Sequence, residues 1–393
     1  MTHHELNHTT INCVMEHLID HGFDGMADAI QILMNEAMKL DRGHFLNARP
    51  YERIANRQGY ANGFKPKTVK TRVGEIPLQV PQVRGLPEGA EGFYPNSLEK
   101  GSRSERSIKV AIAEMYVHGV STRRVTGIME ELCGFEVTSQ QVSRAAAELD
   151  AGLEKWRNRM LGEYPMLIMD ARYEKVRVDD QVRSVALLTV FGVDVIGTRS
   201  VLGVSVSLSE AEVHWRDLMS SLLVRGLTGV RYIVSDAHEG LKAARQAVFP
   251  GAIWQRCQFH LQQNAAAYVP RMEMRKEVAK ALRDIFNAPD RHAADALLKE
   301  KVTKYSKNAP KLAAWMEGNL PEGLAVFALP EIQRKRMRTS NMAERVNKEL
   351  NRRTRVVSLF PNEASLLRLA SAMLVEIDES WATKKSYLNM NEV

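Results

Sequence analysis

Met166-Leu167-Ile168-Met169-Asp170 is an apolar run that stops on a carboxylate, and Val230-Arg231-Tyr232-Ile233-Val234-Ser235-Asp236 is a second run that stops on another. Both are short and bounded by polar residues, which reads as buried strand rather than helix. Between them, Val185 to Val193 and Ser200 to Val206 are β-branched runs, so three strands follow one another. Ala211 to Arg225 carries Trp215, Leu218, Met219 and Leu222 on one helical face and separates the third strand from the fourth. A helix is expected from about Glu239 to Val248, and a fifth strand from Ala252 to Gln255.

Three strands, helix, strand, helix, strand is the element order of a ribonuclease H-like α/β core. In that order the ends of the first and fourth strands lie side by side, so Asp170 and Asp236 are expected to face each other. Two carboxylates so placed repel unless cations neutralise them. Mg2+ takes hard oxygen ligands and keeps several waters, so a few carboxylates suffice. Taken singly, a strand-end Asp is more often a turn or cap residue; the pairing in this strand order is what favours a metal site. The third carboxylate is sought in a late helix, about Ser340 to Arg353. Met342, Val346 and Leu350 form its buried stripe, and Asn341, Glu344, Asn347, Lys348 and Asn351 share a neighbouring polar face. The competing reading of Glu344 is a solvated face with surface ion pairs. Asp179-Asp180 is read as a hairpin turn, Glu239 as a cap and Asp194 as a turn residue. Arg271 to Gly318 is amphipathic and helical, which gives an all-helical insertion at about 265–335 within a catalytic domain spanning 161–393. A C-terminal helix covers Glu363 to Ile377.

Upstream the texture differs. Two amphipathic helices fill residues 1–45, and a Gly-, Pro- and basic-rich region fills 46–104. In it, Val69, Thr71 and Val73 alternate with Thr68, Lys70 and Arg72, and Ile76, Leu78 and Val80 follow Gly74-Glu75. That pattern predicts a basic β-hairpin turning at Gly74-Glu75, with Lys70 and Arg72 placed for DNA phosphates. Residues 105–160 read as a mainly helical DNA-binding region with a helix-turn-helix: Ser121 caps one helix, Gly134 makes the turn, and Thr138 or Ser139 caps the next. Gln140, Gln141 and Arg144 at the start of that second helix can reach base edges in a major groove. A plain helical hairpin is the competing reading.

The chain has 393 residues and a net charge of +7, enough for two or three domains. Arg42 to Arg84 holds nine Lys/Arg against two Glu, and Gln333 to Arg355 holds the same numbers, so the remainder is acidic. Clustered positive charge suits a polyanion, and Arg345 and Lys348 in the second cluster are candidate DNA contacts. No run of about 18 apolar residues is present, so a membrane span is not expected. Three scattered cysteines argue against a disulfide framework and fit a reducing cytoplasm.

Six stretches together resemble the bacterial insertion-sequence transposases of the Mutator superfamily. They are Tyr51-Glu52-Arg53 with Gly59 to Gly63; Met115 to Arg123; Asp170-Ala171-Arg172-Tyr173-Glu174-Lys175-Val176-Arg177; Ser235-Asp236-Ala237-His238-Glu239-Gly240-Leu241; Trp254-Gln255-Arg256-Cys257-Gln258-Phe259-His260; and Arg338 to Asn347. The resemblance implies a catalytic triad at Asp170, Asp236 and Glu344, a Cys-x-x-His signature at Cys257 and His260, and an Asn-x-x-Glu-x-x-Asn pattern at Asn341, Glu344 and Asn347. It further implies two-metal phosphoryl transfer with Mg2+ (Mn2+ able to substitute), acting on double-stranded DNA at terminal inverted repeats and at target DNA. A homodimer is expected because two ends must be paired. The alternatives are a ribonuclease H-like nuclease that cuts without joining, and a non-enzymatic helix-turn-helix regulator.

Cys257 and His260 lie three apart, at an expected strand-to-helix junction. Zinc is unsupported by ligand count, because Cys13 and Cys133 lie far away in sequence. The expectation is that His260 packs behind the Asp170–Asp236 edge and supports the site, with Cys257 filling space beside it.

Overall fold

A computed structural model describes residues 3–87, 89–101, 103–117 and 120–390, and the chain divides into two compact units, 1–148 and 149–393. His118 and Gly119, within one of the stretches quoted above, lie outside the described residues. Among the described residues no helix is long and apolar enough to cross a membrane.

The first unit opens with α1 (His3–His21) and α2 (Met26–Phe45) and continues into a two-stranded antiparallel ribbon of β1 (Tyr60–Thr71) and β2 (Gly74–Arg84). Period-2 alternation turns Ile76, Leu78 and Val80 inward onto Met38 of α2, and these four form a small core. The hairpin turns at Arg72-Val73, not at Gly74-Glu75 as expected, because Thr71 pairs with Gly74 and Lys70 with Glu75. Gly74 supplies a φ of +116° just after the turn, a conformation open to glycine. Three helices follow: α3 (Arg106–Val117), α4 (Thr122–Cys133) and α5 (Ser139–Ala147). The Ser121 side chain caps α4, Gly134 ends it at φ +70°, and Thr138 begins α5 with a reciprocal capping box to Gln141. Ile108, Ile112, Val125, Met129, Phe135 and Val142 make their shared core.

The second unit begins with α6 (Asp150–Arg157), inside the 105–160 region expected to belong with the helix-turn-helix. Its Asp150 accepts two hydrogen bonds of 2.7 Å from Arg368, which fixes it within this unit. Then come β3 (Met166–Val178), β4 (Gln181–Val193), β5 (Arg199–Ser207), α7 (Glu212–Val224), β6 (Tyr232–Ser235), α8 (Glu239–Val248) and β7 (Ile253–Arg256). The sheet order is β5-β4-β3-β6-β7, antiparallel on the β5-β4-β3 side and parallel across β3-β6-β7. Asp179 and Asp180 both take positive φ, 48° and 59°, and form the two-residue turn between β3 and β4.

Both faces of the sheet are covered, which explains why its central runs are apolar throughout. Leu167, Met169, Leu188 and Ile233 face Trp215, Leu218 and Met219 of α7 and Leu241 of α8. On the other face, Ile168, Leu187 and Val234 meet α14 (Asn341–Val357) through Met342, Val346 and Leu350, and α15 (Glu363–Ala382) through Leu366, Leu369 and Met373. Between β7 and α14 the chain is helical: α9 (Gln258–Ala265), α10 (Met274–Phe286), α11 (Arg291–Asn308), α12 (Pro310–Asn319) and α13 (Glu331–Met337). These helices build a core of their own around Leu282, Ile285, Leu312 and Met316.

Candidate active site

β3 delivers the first carboxylate. Met166 to Met169 are buried on both faces, and Asp170, at 9% exposure, is the first polar side chain of the strand. Asp170 is not a strand end, as the sequence suggested: β3 runs eight residues further because β4 pairs with it through Val178. What ends here is β6, whose register sets Ile168 beside Val234. Two steps on, Asp236 comes level with Asp170, just past the last residue of β6. Asp236 caps its own turn by accepting the Ala237 N–H at 2.8 Å, and its side chain is half exposed.

α14 supplies the third group. Its apolar stripe packs on the sheet, which turns the adjoining polar face toward β3. Asn347 Nδ2 donates to Asp170 Oδ2 at 2.5 Å. Burial, joined by the charges of Glu344 and Asp236, pushes the Asp170 carboxyl up to about 7, against the pull of His260 and the Ala171 N–H. Arg172, two residues along and so on the same face of β3, locks the helix. It donates to the Asn347 carbonyl at 2.8 Å and to Asn351 Oδ1 and Thr354 Oγ1 at 3.4 Å, and it pairs with Glu174. The period-2 rule could have singled out Arg172 from the sequence. Its partners Asn351 and Thr354 sit one and two turns beyond Asn347.

β7 and α9 bring the Cys-His pair. Cys257 is buried and does more than fill space: its Sγ accepts from Ser340 N and Oγ at 3.4 and 3.3 Å, and its N–H donates to the Ser235 carbonyl at 2.8 Å. This cross-tie joins the end of β6, the start of α9 and the start of α14. Ser340 was not foreseen, because nothing in its local sequence marks a donor to a thiol 83 residues away. Burial works to raise the Cys257 thiol, but hydrogen bonds from His260 and Ser340 bring it below its usual value. The same bond from Cys257, with the charges of Cys257, Asp236 and Asp170, pushes His260 up to about 9 against its burial. His260 Nδ1 stands 3.9 Å from Asp236 Oδ1.

Four buried polar atoms of this group have no hydrogen-bond partner: Arg172 Nε, His260 Nδ1, Glu344 Oε1 and Asn347 Oδ1. Buried polar atoms are nearly always satisfied, so a cluster of orphans marks a place for a polar guest. Among the described residues no three His, Cys, Asp or Glu side chains close into a ligand cage. An open set of hard oxygens with an orphaned Glu344 atom suits a cation that keeps several of its waters.

The other sequence candidates sit elsewhere. Asn341, Arg345 and Lys348 are exposed on α14. Gln140 and Arg144 are exposed on α5, whereas Gln141 is occupied, its Oε1 accepting the Thr138 N–H at 2.9 Å. Lys70 donates to the Glu136 carbonyl at 2.8 Å, pairs with Glu75 at 3.3 Å and lies over the Phe135 ring. Arg72 is forked onto Glu105, with bonds of 2.6 and 3.0 Å. The expected phosphate contacts of the hairpin are therefore both engaged within the first unit.

Residues 1–384 match the family described as Transposase, Mutator family. The chain is 55% identical over 376 residues to the transposase for insertion sequence element IS406 of Burkholderia multivorans, covering 95% of this chain and 96% of that one. It is 39% identical over 372 residues to the transposase for ISRM5 of Rhizobium meliloti, covering 94% and 92%. It is 32% identical over 399 aligned positions to the transposase for IS256 in transposon Tn4001 of Staphylococcus aureus, covering 99% of each. The chain belongs to the Mutator family of transposases.

Proposed function

We propose that this transposase is an Asp–Asp–Glu enzyme with a ribonuclease H-like second unit, which cuts DNA at the ends of an insertion sequence and joins the freed 3′-OH to target DNA. One observation carries the reading: buried Asp170 of β3, half-exposed Asp236 just past β6 and Glu344 of α14 come close enough for their charges to act on one another, with orphaned polar atoms around them. Asp170, Asp236 and Glu344 are the residues that would hold divalent cations, Mg2+ first and Mn2+ second. Such cations, when bound, activate an attacking hydroxyl and stabilise the leaving oxygen.

The chain's own groups do the positioning. Asn347 orients Asp170, and Arg172 fixes the turn of α14 that carries Glu344 and Asn347. His260, pushed up to about 9 chiefly by its bond to Cys257, favours its charged form, and its Nδ1, without a hydrogen-bond partner and 3.9 Å from Asp236, would donate to a phosphate oxygen there. In the first unit, Gln140 and Arg144 are the exposed side chains at the start of α5 for reading the terminal repeats. The DNA partners are the element's ends and the target duplex, the working form is a dimer that pairs two ends, and the compartment is the bacterial cytoplasm.

The test is a cleavage and strand-transfer assay with Mg2+ on the full chain, beside binding to element ends. Asp170→Asn, Asp236→Asn and Glu344→Gln are each expected to lose cleavage and joining by at least ~100-fold while end binding holds, since removing a group that stabilises transition-state charge typically costs that much. Near-wild-type cleavage in any one would remove that residue from the triad. Cleavage without joining by the unaltered chain would leave a nuclease in place of a transposase of this mechanism.

A further inference from the structure

Arg199 opens β5 with its guanidinium 4.4 Å from the centre of the Trp381 ring and 5.2 Å from that of Tyr387. Arg336 of α13 sits 4.8 Å from the same Tyr387 ring. Arg345, next to Glu344 on α14, is near enough for its charge to act on Arg199. Burial first, joined by the positive charges of Arg336 and Arg345 and opposed by Tyr387, holds the Arg199 guanidinium below its usual value. Among the described residues, none of these three guanidinium groups has a carboxylate or any other hydrogen-bond acceptor. Other partly buried arginines of the unit do: Arg159 has Asp378 at 2.8 Å, Arg256 has Glu322 at 3.0 Å, and Arg368 has Asp150 at 2.7 Å.

We propose that Arg199 and Arg336, gathered around Trp381 and Tyr387, form with Arg345 of α14 a phosphate-binding subsite for the backbone of duplex DNA. Stacking on an aromatic face fixes a guanidinium plane and leaves its N–H edge outward, the geometry that forks onto two phosphate oxygens. Three like charges held together without a counterion favour an anion. Lys384 and Lys385, both exposed just before Tyr387, add positive charge. The placement suits DNA that also reaches Asp170. Arg199 pairs with Val193, which pairs with Met166, so it lies two strands across and four residues back from Asp170. Arg199 shares its sheet face with Val201, and Asp170 shares the same face with Ile168. Strand spacings put the two about 16 Å apart, which is roughly five base-pair steps of a duplex. The inference rests on the reading that Asp170 meets DNA, but the readout that decides it is binding.

The test measures affinity of the full chain for a duplex of random sequence, without divalent cation, across a salt series. R336Q/R345Q, both at exposed positions, is compared with the unaltered chain, with R199Q, and with a control, K280Q/R291Q, at ion-paired exposed sites on the helical insertion. Each lost phosphate contact should lower the slope of log affinity against log salt by about one unit. The expected result is a fall of about two units for R336Q/R345Q and little for the control. If R199Q fails to fold, the exposed pair still decides. A slope for R336Q/R345Q equal to the unaltered chain's, or no lower than the control's, overturns the subsite. The expected slope change in a chain inactive for cleavage would uphold the subsite and fell the Asp–Asp–Glu reading; an unchanged slope in an active chain would do the reverse. No binding of the duplex by the unaltered chain would overturn both.

Discussion

A carboxyl at 9% exposure beside two further carboxylates is driven toward its protonated form, and burial is the largest cause. Asp170, raised to about 7, therefore destabilises the metal-free fold as it ionises. The sign follows from linkage: its contribution to stability is complete below about pH 4, where the unfolded group titrates, and is lost as pH rises through about 7. Carboxyl 13C titration of metal-free protein should show one aspartate with a midpoint near 7, and Mg2+ should move that midpoint down. A metal-free midpoint near 4 would mean that the site holds no electrostatic conflict for a cation to relieve. Cys257 makes a second prediction at this scale. Cys257→Ala strands the N–H and O–H of buried Ser340, and an unsatisfied buried donor costs about 1–3 kcal/mol. Cys257→Ser keeps an acceptor and should recover part of that loss in denaturant midpoint. Equal midpoints for Cys257→Ala and the unaltered chain would return Cys257 to the role of space-filler.

Among the elements, α5 separates structural from reading roles most sharply. Thr138 and Gln141 close the capping box, so Thr138→Ala and Gln141→Ala should each lower stability, the former by about 1 kcal/mol. Gln140→Ala and Arg144→Ala should leave stability alone and weaken binding to element ends relative to random DNA. Gln141→Ala reducing that preference as much as Gln140→Ala, with no change in melting, would reverse the assignment. The same element shows what the sequence discloses. Caps at Ser121 and Thr138, the Gly134 turn and the Asp179-Asp180 hairpin were legible because they depend on residues within four positions of each other. The central runs of the second unit's strands were legible because burial on both faces makes them apolar. The extent of β3 was not, because its later half is held by pairing with β4 and loses the apolar signal after Asp170. The hairpin turn was misplaced by two residues, since Gly74 follows the turn to take a positive φ and does not sit in it. The partners of Lys70 and Arg72, namely Glu136 and Glu105, are set by folding of the first unit and leave no mark in the alternation of the strands.

At the scale of the whole molecule, each unit owns its cores, those of α2 with β2 and of α3–α5 in one, and the two faces of the sheet and the helical insertion in the other. The three carboxylates all lie in 149–393, so a cation bound by them is linked to unfolding of that unit. Mg2+ at about a hundred times its dissociation constant should add about 2.7 kcal/mol there, which raises the transition of a unit this size by about 5–10 °C. Leu350, fully buried on α14 against the sheet, provides the marker for that transition. Leu350→Ala should lower it, by about 2–5 kcal/mol. Calorimetry of the full chain, with and without Mg2+, should then show the cation raising the same transition that Leu350→Ala lowers. Asp170→Asn should abolish the Mg2+ response, and because it removes the ionisable carboxyl it should also make the metal-free transition less sensitive to pH between about 4 and 7. A Mg2+ shift that survives Asp170→Asn would place the cation away from β3. A shift confined to a transition that Leu350→Ala does not move would place it in the other unit.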